Sequence, residues 1–272
     1  MTRDKDSSYA LAMWSYAHRG FTVHQIPALQ DNYIYLIETD EILACVDPAE
    51  AVPVEAACET LGRKLTHILN THHHWDHVGG NPELKSKYGC TVIGPSYDEA
   101  RIPDLDQPVS EGDVLRPGNL NMSILFVPGH TRGHIAYVIE DALFCGDTLF
   151  GAGCGRLFEG TPEQMWNSLN KIMALSPATR FYCAHEYTLG NLEFCIERVT
   201  QDDVVQQRFK RDTDRRKQGL PTIPGSIDEE LSTNPFLLPA NGGFRKNYAT
   251  KHGIKDDPVT VFAHIRAAKD RW

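Results

Sequence analysis

Thr71-His72-His73-His74-Trp75-Asp76-His77-Val78-Gly79-Gly80 is the stretch on which the reading of this chain turns. Residues 72–77 carry five imidazole or carboxylate side chains in six positions, directly after an apolar run at 65–69. So dense a donor set is hard to explain without metal. It is not a His-rich low-complexity tail, because it lies early in a globular sequence and further donors follow at wide spacing. In extended backbone, residues two apart point the same way, so His72 and His74 can share one ion while His73 faces elsewhere. Asp76 and His77 are adjacent and can turn toward a second ion where the chain bends at Gly79-Gly80.

Four-coordinate sites need more ligands than these. The sequence offers them after apolar, strand-like runs: His130 in Pro128-Gly129-His130-Thr131, Asp147 in Cys145-Gly146-Asp147-Thr148, and His185 in Ala184-His185-Glu186. Each then stands at a rim of a sheet, where a side chain is held rigidly. Taken singly, His130 and His185 read as ordinary histidines and Asp147 as a turn former. Joined to the tract, they make one specific pattern. His67 and His134 have no such pattern and read as structural.

Outward from the tract, short strands alternate with helices, an α/β pattern. Strands are expected over 21–27, 33–38, 42–47, 65–70, 91–93, 122–127, 135–139, 142–145 and 181–184. Helices are expected over 54–62 and 82–88, and from the capping box Thr161-Pro162-Glu163-Gln164 to residue 174. After Tyr187 the chain turns charged and helical in period over 189–200 and 202–219. Residues 220–247, rich in Pro, Gly and Asn, read as loop. Asp257-Pro258 opens a final helix with Val259, Phe262 and Ile265 on its apolar face. The expected organisation is an extension over 1–20, an α/β domain over 21–187 and a small helical domain over 188–272.

The 272 residues carry a net charge of −9, with 41% hydrophobic and 23% charged residues. No basic stripe runs through the first two thirds, which argues against a nucleic-acid partner. The seven cysteines are scattered and form no C-x-x-C pair, so neither a disulfide framework nor a cysteine zinc knuckle is expected. A reducing compartment follows. Arg3-Asp4-Lys5-Asp6 is mixed in charge and no long apolar region follows, unlike a secretory signal. No run approaches the ~18 apolar residues that span a membrane. The expectation is a cytoplasmic protein, with the mitochondrion as the lesser alternative.

The tract, Gly129-His130-Thr131, Gly146-Asp147-Thr148-Leu149-Phe150 and Cys183-Ala184-His185-Glu186-Tyr187 resemble the metallo-β-lactamase superfamily. Residues 151–160 with Gly153-Cys154-Gly155-Arg156, then Asn234-Pro235-Phe236 and Lys269-Asp270-Arg271-Trp272, make the chain similar to the glyoxalase II (hydroxyacylglutathione hydrolase) family. The similarity covers nearly everything from Phe21 onward. It implies an αββα sandwich, the catalytic domain over 21–187, with a small C-terminal helical domain over 188–272 that binds glutathione. It further implies two divalent metal ions. His72, His74 and His130 would hold one, Asp76, His77 and His185 the other, and Asp147 would bridge them. Zinc is the expected metal, with iron or manganese as alternatives, since imidazole and carboxylate accept all three.

Such a centre suits thioester hydrolysis. Two divalent ions carry four positive charges, and Asp76, Asp147 and a bridging hydroxide remove three. The remaining unit favours an oxyanion over a neutral carbonyl. The leaving thiolate, whose parent thiol has a pKa of about 8.5, needs little protonation. The glutathione part is anionic. Arg266 and Lys269, three apart on the last helix, share a face; alone they would read as a solvated helix end. In the family, residues at the positions of Arg266, Lys269, Arg156 and Tyr187 contact glutathione. Phe158 stands where relatives often have Tyr, and Leu237-Leu238 where they often have Arg.

The expected reaction is hydrolysis of S-D-lactoylglutathione and related 2-hydroxyacyl thioesters to glutathione and D-lactate, the second step of methylglyoxal detoxification, by a monomer. One rival is a persulfide dioxygenase with a single iron, using three of the same ligand positions on glutathione persulfide. A rival of another class is a non-catalytic metal-binding protein, which would hold metal and hydrolyse no thioester.

Overall fold

Strand Asn32–Glu38 shows how the layers arise. Tyr33, Tyr35 and Ile37 enter one apolar cluster, while Ile34 and Leu36 enter another on the opposite face. Neighbouring strands split the same way: Ala44 and Val46 against Leu43 and Cys45, Leu69 against Ile68, Ile93 against Val92. Successive side chains of a strand point to opposite faces. A sheet covered on both sides therefore reads as continuous apolar runs.

The computed structural model describes residues 12–272. A seven-stranded sheet runs in the order Trp14–His18, Phe21–Ala28, Asn32–Glu38, Leu43–Val46, His67–Leu69, Thr91–Pro95, Gln107–Val109. Its first four strands pair antiparallel and the rest parallel. Helices Ala51–Leu61 and Asn81–Tyr88 cover its outer face through Val54, Ala57, Cys58 and Leu84. The six-stranded second sheet runs Gly225–Ser226, Arg180–Cys183, Ala142–Gly146, Ile135–Ile139, Met122–Phe126, Val114–Leu115. Between the sheets Tyr35 packs edge-on against Phe144 and Tyr182, at 5.9 and 5.3 Å between centroids. Helices Pro162–Met173 and Pro258–Asp270 form the outer layer beyond, joined by Trp166 on Phe262. The architecture is the αββα sandwich with a helical C-terminal part.

Two expectations are corrected. The first sheet begins within the stretch set apart as an extension: Trp14–His18 pairs with Phe21–Ala28 across a tight turn, where Gly20 sits at φ +85°. A glycine takes that conformation without a Cβ clash. The extension's residues 1–11 lie outside the described residues. The expected loop at 220–247 holds helices Ile227–Thr233 and Gly242–His252. Both are short, and one opens on two glycines, so propensity is weak. Side-chain caps start them, Ser226 accepting from Glu229 N and Asn241 from Gly243 N. On the last helix Val259 packs half-buried against the core beside Phe262 and Ile265, as expected, and Val261 joins them fully buried. Among the described residues no helix is long and apolar enough to cross a membrane.

The two sheets are stitched at one rim. Tyr33 N donates to Ala184 O at 2.7 Å and Ile135 N to Thr71 O at 2.9 Å. The carboxyl ends of Leu43–Val46, His67–Leu69, Met122–Phe126, Ala142–Gly146 and Arg180–Cys183 converge there. Ligand sites of α/β sheets gather at such carboxyl ends.

Candidate metal centre

Each donor of the tract and its distant partners arrives at this rim on a strand end. His72 follows His67–Leu69, and a single helical turn, Trp75–Val78, carries Asp76 and His77. His130 and Asp147 follow the strands that end at Phe126 and Gly146, and His185 the one that ends at Cys183. Three overlapping groups have ligand atoms within 4.8 Å of one another: His72/His74/His130, His72/His77/Asp147 and Asp76/His77/His185. Asp147 turns Oδ2 to His130 Nε2 at 3.3 Å, and Oδ1 to His77 Nε2 at 3.5 Å and His185 Nε2 at 3.4 Å. Its two oxygens thus face opposite halves of the cluster.

Hydrogen bonds set which nitrogen of each imidazole looks inward. His77 Nδ1–H donates to Asp47 at 3.0 Å, His185 Nδ1–H to Asp31 at 2.8 Å, and His130 Nδ1–H to Arg156 O at 2.8 Å. Thr71 gives its hydroxyl proton to Asp47 at 2.7 Å, so His72 Nδ1–H donates to Thr71 Oγ1 at 3.1 Å. Four imidazoles therefore keep an Nε2 lone pair for the centre. His74 brings Nδ1 to 3.0 Å from His130 Nε2. Within the protein His72 Nε2, His77 Nε2 and Asp147 Oδ1 are buried without any hydrogen-bond partner. Leaving such groups unpaired is costly, and together they surround one point. This donor set fits metal ions.

The electrostatics agree. Burial keeps His72 and His130 below the ordinary histidine range and takes His74 down to about 4, so these are neutral donors. Burial opposes charge on His77 and His185 too, yet Asp147 outweighs it, with Asp47 helping at His77, and both are raised. Burial would raise Asp147, but His185 and His77 hold it well below the carboxylate range. This half of the cluster draws positive charge, as a proton or a cation.

His73 uses both nitrogens elsewhere, donating to Asp98 at 3.1 Å and accepting from Arg101 at 3.1 Å. His134 also stays outside: its Nε2 accepts from Asp147 N at 3.1 Å, which aims that carboxylate. Sequence reasoning passed over Asp31 and Asp47. Asp47 carried a signal, since it follows an apolar strand just as Asp147 does. Asp31 sits in a turn and carried none. Two close approaches demand glycine: a Cβ at Gly155 would meet Asp147 O at 2.0 Å, and one at Gly146, φ +47°, would meet Thr71 Oγ1 at 2.3 Å.

A cleft of about 520 Å³ opens over the donors, walled by Trp75, Phe150, Arg156, Phe158 and Tyr187. Trp75 and Phe158 are 71% and 62% exposed. A second cleft of about 450 Å³ shares Phe150, Arg156 and Tyr187 with it and extends to Arg266 and Lys269. The structure thus brings Arg156, Tyr187, Arg266 and Lys269 together. Arg266 is buried, donating to Cys154 O at 3.0 Å with Nε unpartnered.

This fold with this donor cluster defines the metallo-β-lactamase superfamily, and the superfamily's model matches residues 29–185. A model described as Hydroxyacylglutathione hydrolase C-terminus matches residues 186–272. The chain belongs to the hydroxyacylglutathione hydrolase family of metal-dependent hydrolases. It is 48% identical over 251 residues to the hydroxyacylglutathione hydrolase of Methylococcus capsulatus, covering 90% of this chain and 96% of that one. Among solved structures it is similar to ETHE1 from Myxococcus xanthus, with TM-score 0.64, 25% identity and 90% and 89% of the two chains covered. It is also similar to TTHA1623 in a di-iron-bound form, with TM-score 0.52, 30% identity, and 59% of this chain and 90% of that one covered.

Proposed function

We propose that this protein hydrolyses S-D-lactoylglutathione and related 2-hydroxyacyl glutathione thioesters to glutathione and the 2-hydroxy acid, D-lactate in the first case, as the second step of methylglyoxal detoxification. The observation that carries this reading is the shared wall of the two clefts. An acyl group at the His/Asp cluster leaves its thiol carrier running past Arg156 and Tyr187 toward Arg266 and Lys269. The names of its relatives and the match of residues 186–272 support the same substrate and disfavour a persulfide dioxygenase with a single iron. A purely metal-binding role would give no reason for the basic cleft.

His72, His74 and His130 would hold one divalent ion and Asp76, His77 and His185 a second, with Asp147 between them. When bound, the ions supply Lewis acidity and bring the pKa of water to about 7. The protein's own part is positional. Asp47, Asp31 and the Arg156 carbonyl hold the imidazoles in the ligating tautomer. Trp75 and Phe158 line the cleft beside the donors. Tyr187, raised by burial and by Asp31, keeps its hydroxyl proton as a donor to the substrate. A thiolate leaving group asks for no dedicated acid.

Zinc is our reading of the metal; the di-iron form of TTHA1623 supports iron as an alternative, and the donor set also accepts manganese. We place the protein in the cytoplasm as a monomer, with no nucleic-acid partner. The test pairs metal analysis with a thioesterase assay on one preparation. Two ions per chain with hydrolysis of S-D-lactoylglutathione is the expected result. One iron per chain, oxygen uptake on glutathione persulfide and no thioester hydrolysis would overturn it.

A further inference from the structure

Lys269 Nζ lies against two aromatic faces, 4.0 Å from the Trp272 ring centroid and 5.1 Å from that of Phe194. It donates to Gly190 O at 3.2 Å. Trp272 is itself fixed: its indole N–H donates to Glu197 Oε2 at 3.0 Å, and its ring packs edge-on against Phe194 at 5.8 Å. Phe194 stacks on Phe236 at 6.4 Å, and the Arg266 guanidinium lies 4.9 Å over Phe236. Both cations of the last helix rest on one continuous aromatic floor.

We infer that Trp272 is a positioning residue of the thiol-carrier cleft: with Phe194 it holds the Lys269 ammonium in place, unneutralised, for an anionic group of the substrate. The inference rests on the glutathione-thioester reading above. Its logic is electrostatic. A π face attracts a cation without taking up its charge. A carboxylate in the same place would fix the lysine equally well but compete with the substrate for it. The neighbouring cations show that contrast, because Asp270 already stands 3.5 Å from Arg156 and 3.0 Å from Arg266. Among the described residues Lys269 has no such ion pair; its hydrogen bond goes to a neutral carbonyl. Lysine is also a flexible side chain. Fixing it beforehand removes an ordering cost from binding, worth about three- to tenfold in affinity.

The test uses the metal-loaded protein with S-methylglutathione as a non-hydrolysable probe and S-D-lactoylglutathione as substrate. Trp272→Ala is expected to raise the probe's Kd and the substrate's KM about three- to tenfold, with kcat and metal content unchanged. Trp272→Phe should restore most of the loss. In a Lys269→Met background, Trp272→Ala should add nothing, as a cycle between coupled residues requires. Glu197→Gln, which loosens the indole without opening the floor, repeats the effect in milder form and covers a Trp272→Ala variant that fails to fold. Unchanged Kd and KM in Trp272→Ala, or the same loss with and without Lys269, would overturn the inference. If wild type hydrolyses the substrate while Trp272→Ala behaves like it, only the inference fails. If wild type binds the probe through Trp272 but hydrolyses no thioester, only the proposed function fails.

Discussion

The Nδ1 proton of His77 is given to Asp47 Oδ2 at 3.0 Å, and this contact decides that Nε2 of His77 faces the donor cluster. Asp47 also accepts from the backbone N of Thr71 at 2.8 Å and from its hydroxyl at 2.7 Å, and Thr71 in turn orients His72. One carboxylate thus sets two imidazoles in different halves of the cluster. It does so from a backbone at φ +49°, a left-handed conformation that is uncommon outside glycine.

Asp47→Asn replaces a three-fold acceptor by an amide that cannot serve all these donors. Metal affinity, measured by competition with a chromogenic chelator, should fall about 10–100-fold, and the melting temperature should drop by a few degrees because a buried donor loses its acceptor. Retention of both ions at wild-type affinity would remove Asp47 from the centre's support.

Asp147→Ala deletes the side chain whose oxygens face both halves of the cluster. Thioesterase activity should vanish and metal content drop below two ions per chain. Full metal with retained activity would sink the bridging assignment.

Lys269 offers a pH signature. Burial, with Arg266 beside it, pulls its pKa down to about 8, while Glu193 works in the opposite direction. The ammonium that binds an anionic substrate group is therefore intact below that value and lost above it. KM should rise as pH passes through about 8 and stay flat below pH 7. Lys269→Arg, charged throughout, should flatten the profile, and a wild-type KM that does not change across this range would exclude the role.

Arg208 is buried and donates to Glu230 at 2.6 Å, and Glu230 accepts from Ala152 N and Asn234 Nδ2, both at 2.8 Å. This network ties the C-terminal helices to the loop beside the centre. Arg208→Met leaves Glu230 buried without its cation and should destabilise by about 3–5 kcal/mol. Thermal unfolding reads it as a drop of roughly 10 °C; a drop below about 2 °C would show the pair to be dispensable.

Acid weakens another link. The hydrogen bond from Arg101, opposed by partial burial, holds Glu159 down to about 2 from an ordinary 4.5. A carboxylate depressed on folding adds stability above its unfolded pKa and loses it as pH falls through the folded one. Between about 4.5 and 2, wild type should lose stability more steeply than Glu159→Gln. Parallel curves would contradict the pairing.

Much of this molecule was legible beforehand because its signals are periodic and local. Alternation in Thr71–His77 separates His72 and His74 from His73, and the structure does turn His73 toward Asp98 and Arg101. Apolar runs bounded by Gly-His and Gly-Asp place His130 and Asp147 at strand ends. The helices over 227–233 and 242–252 were not legible, because caps and contacts such as Glu230 with Arg208 hold them rather than propensity.

By itself, then, the sequence singled out the candidate donor side chains, set His72 and His74 apart from His73, and marked the strands that carry them. The separation of His73 follows from the two-residue period of extended backbone, and the strands follow from their apolar runs. Only the tertiary structure decided which carboxylates stand behind the imidazoles and which aromatic faces stand behind the cations. Asp31 lies 154 residues from His185, and Lys269 lies 79 residues from the Gly190 carbonyl that fixes it. Such partners meet through sheet register and helix packing, and no local pattern in the chain encodes them.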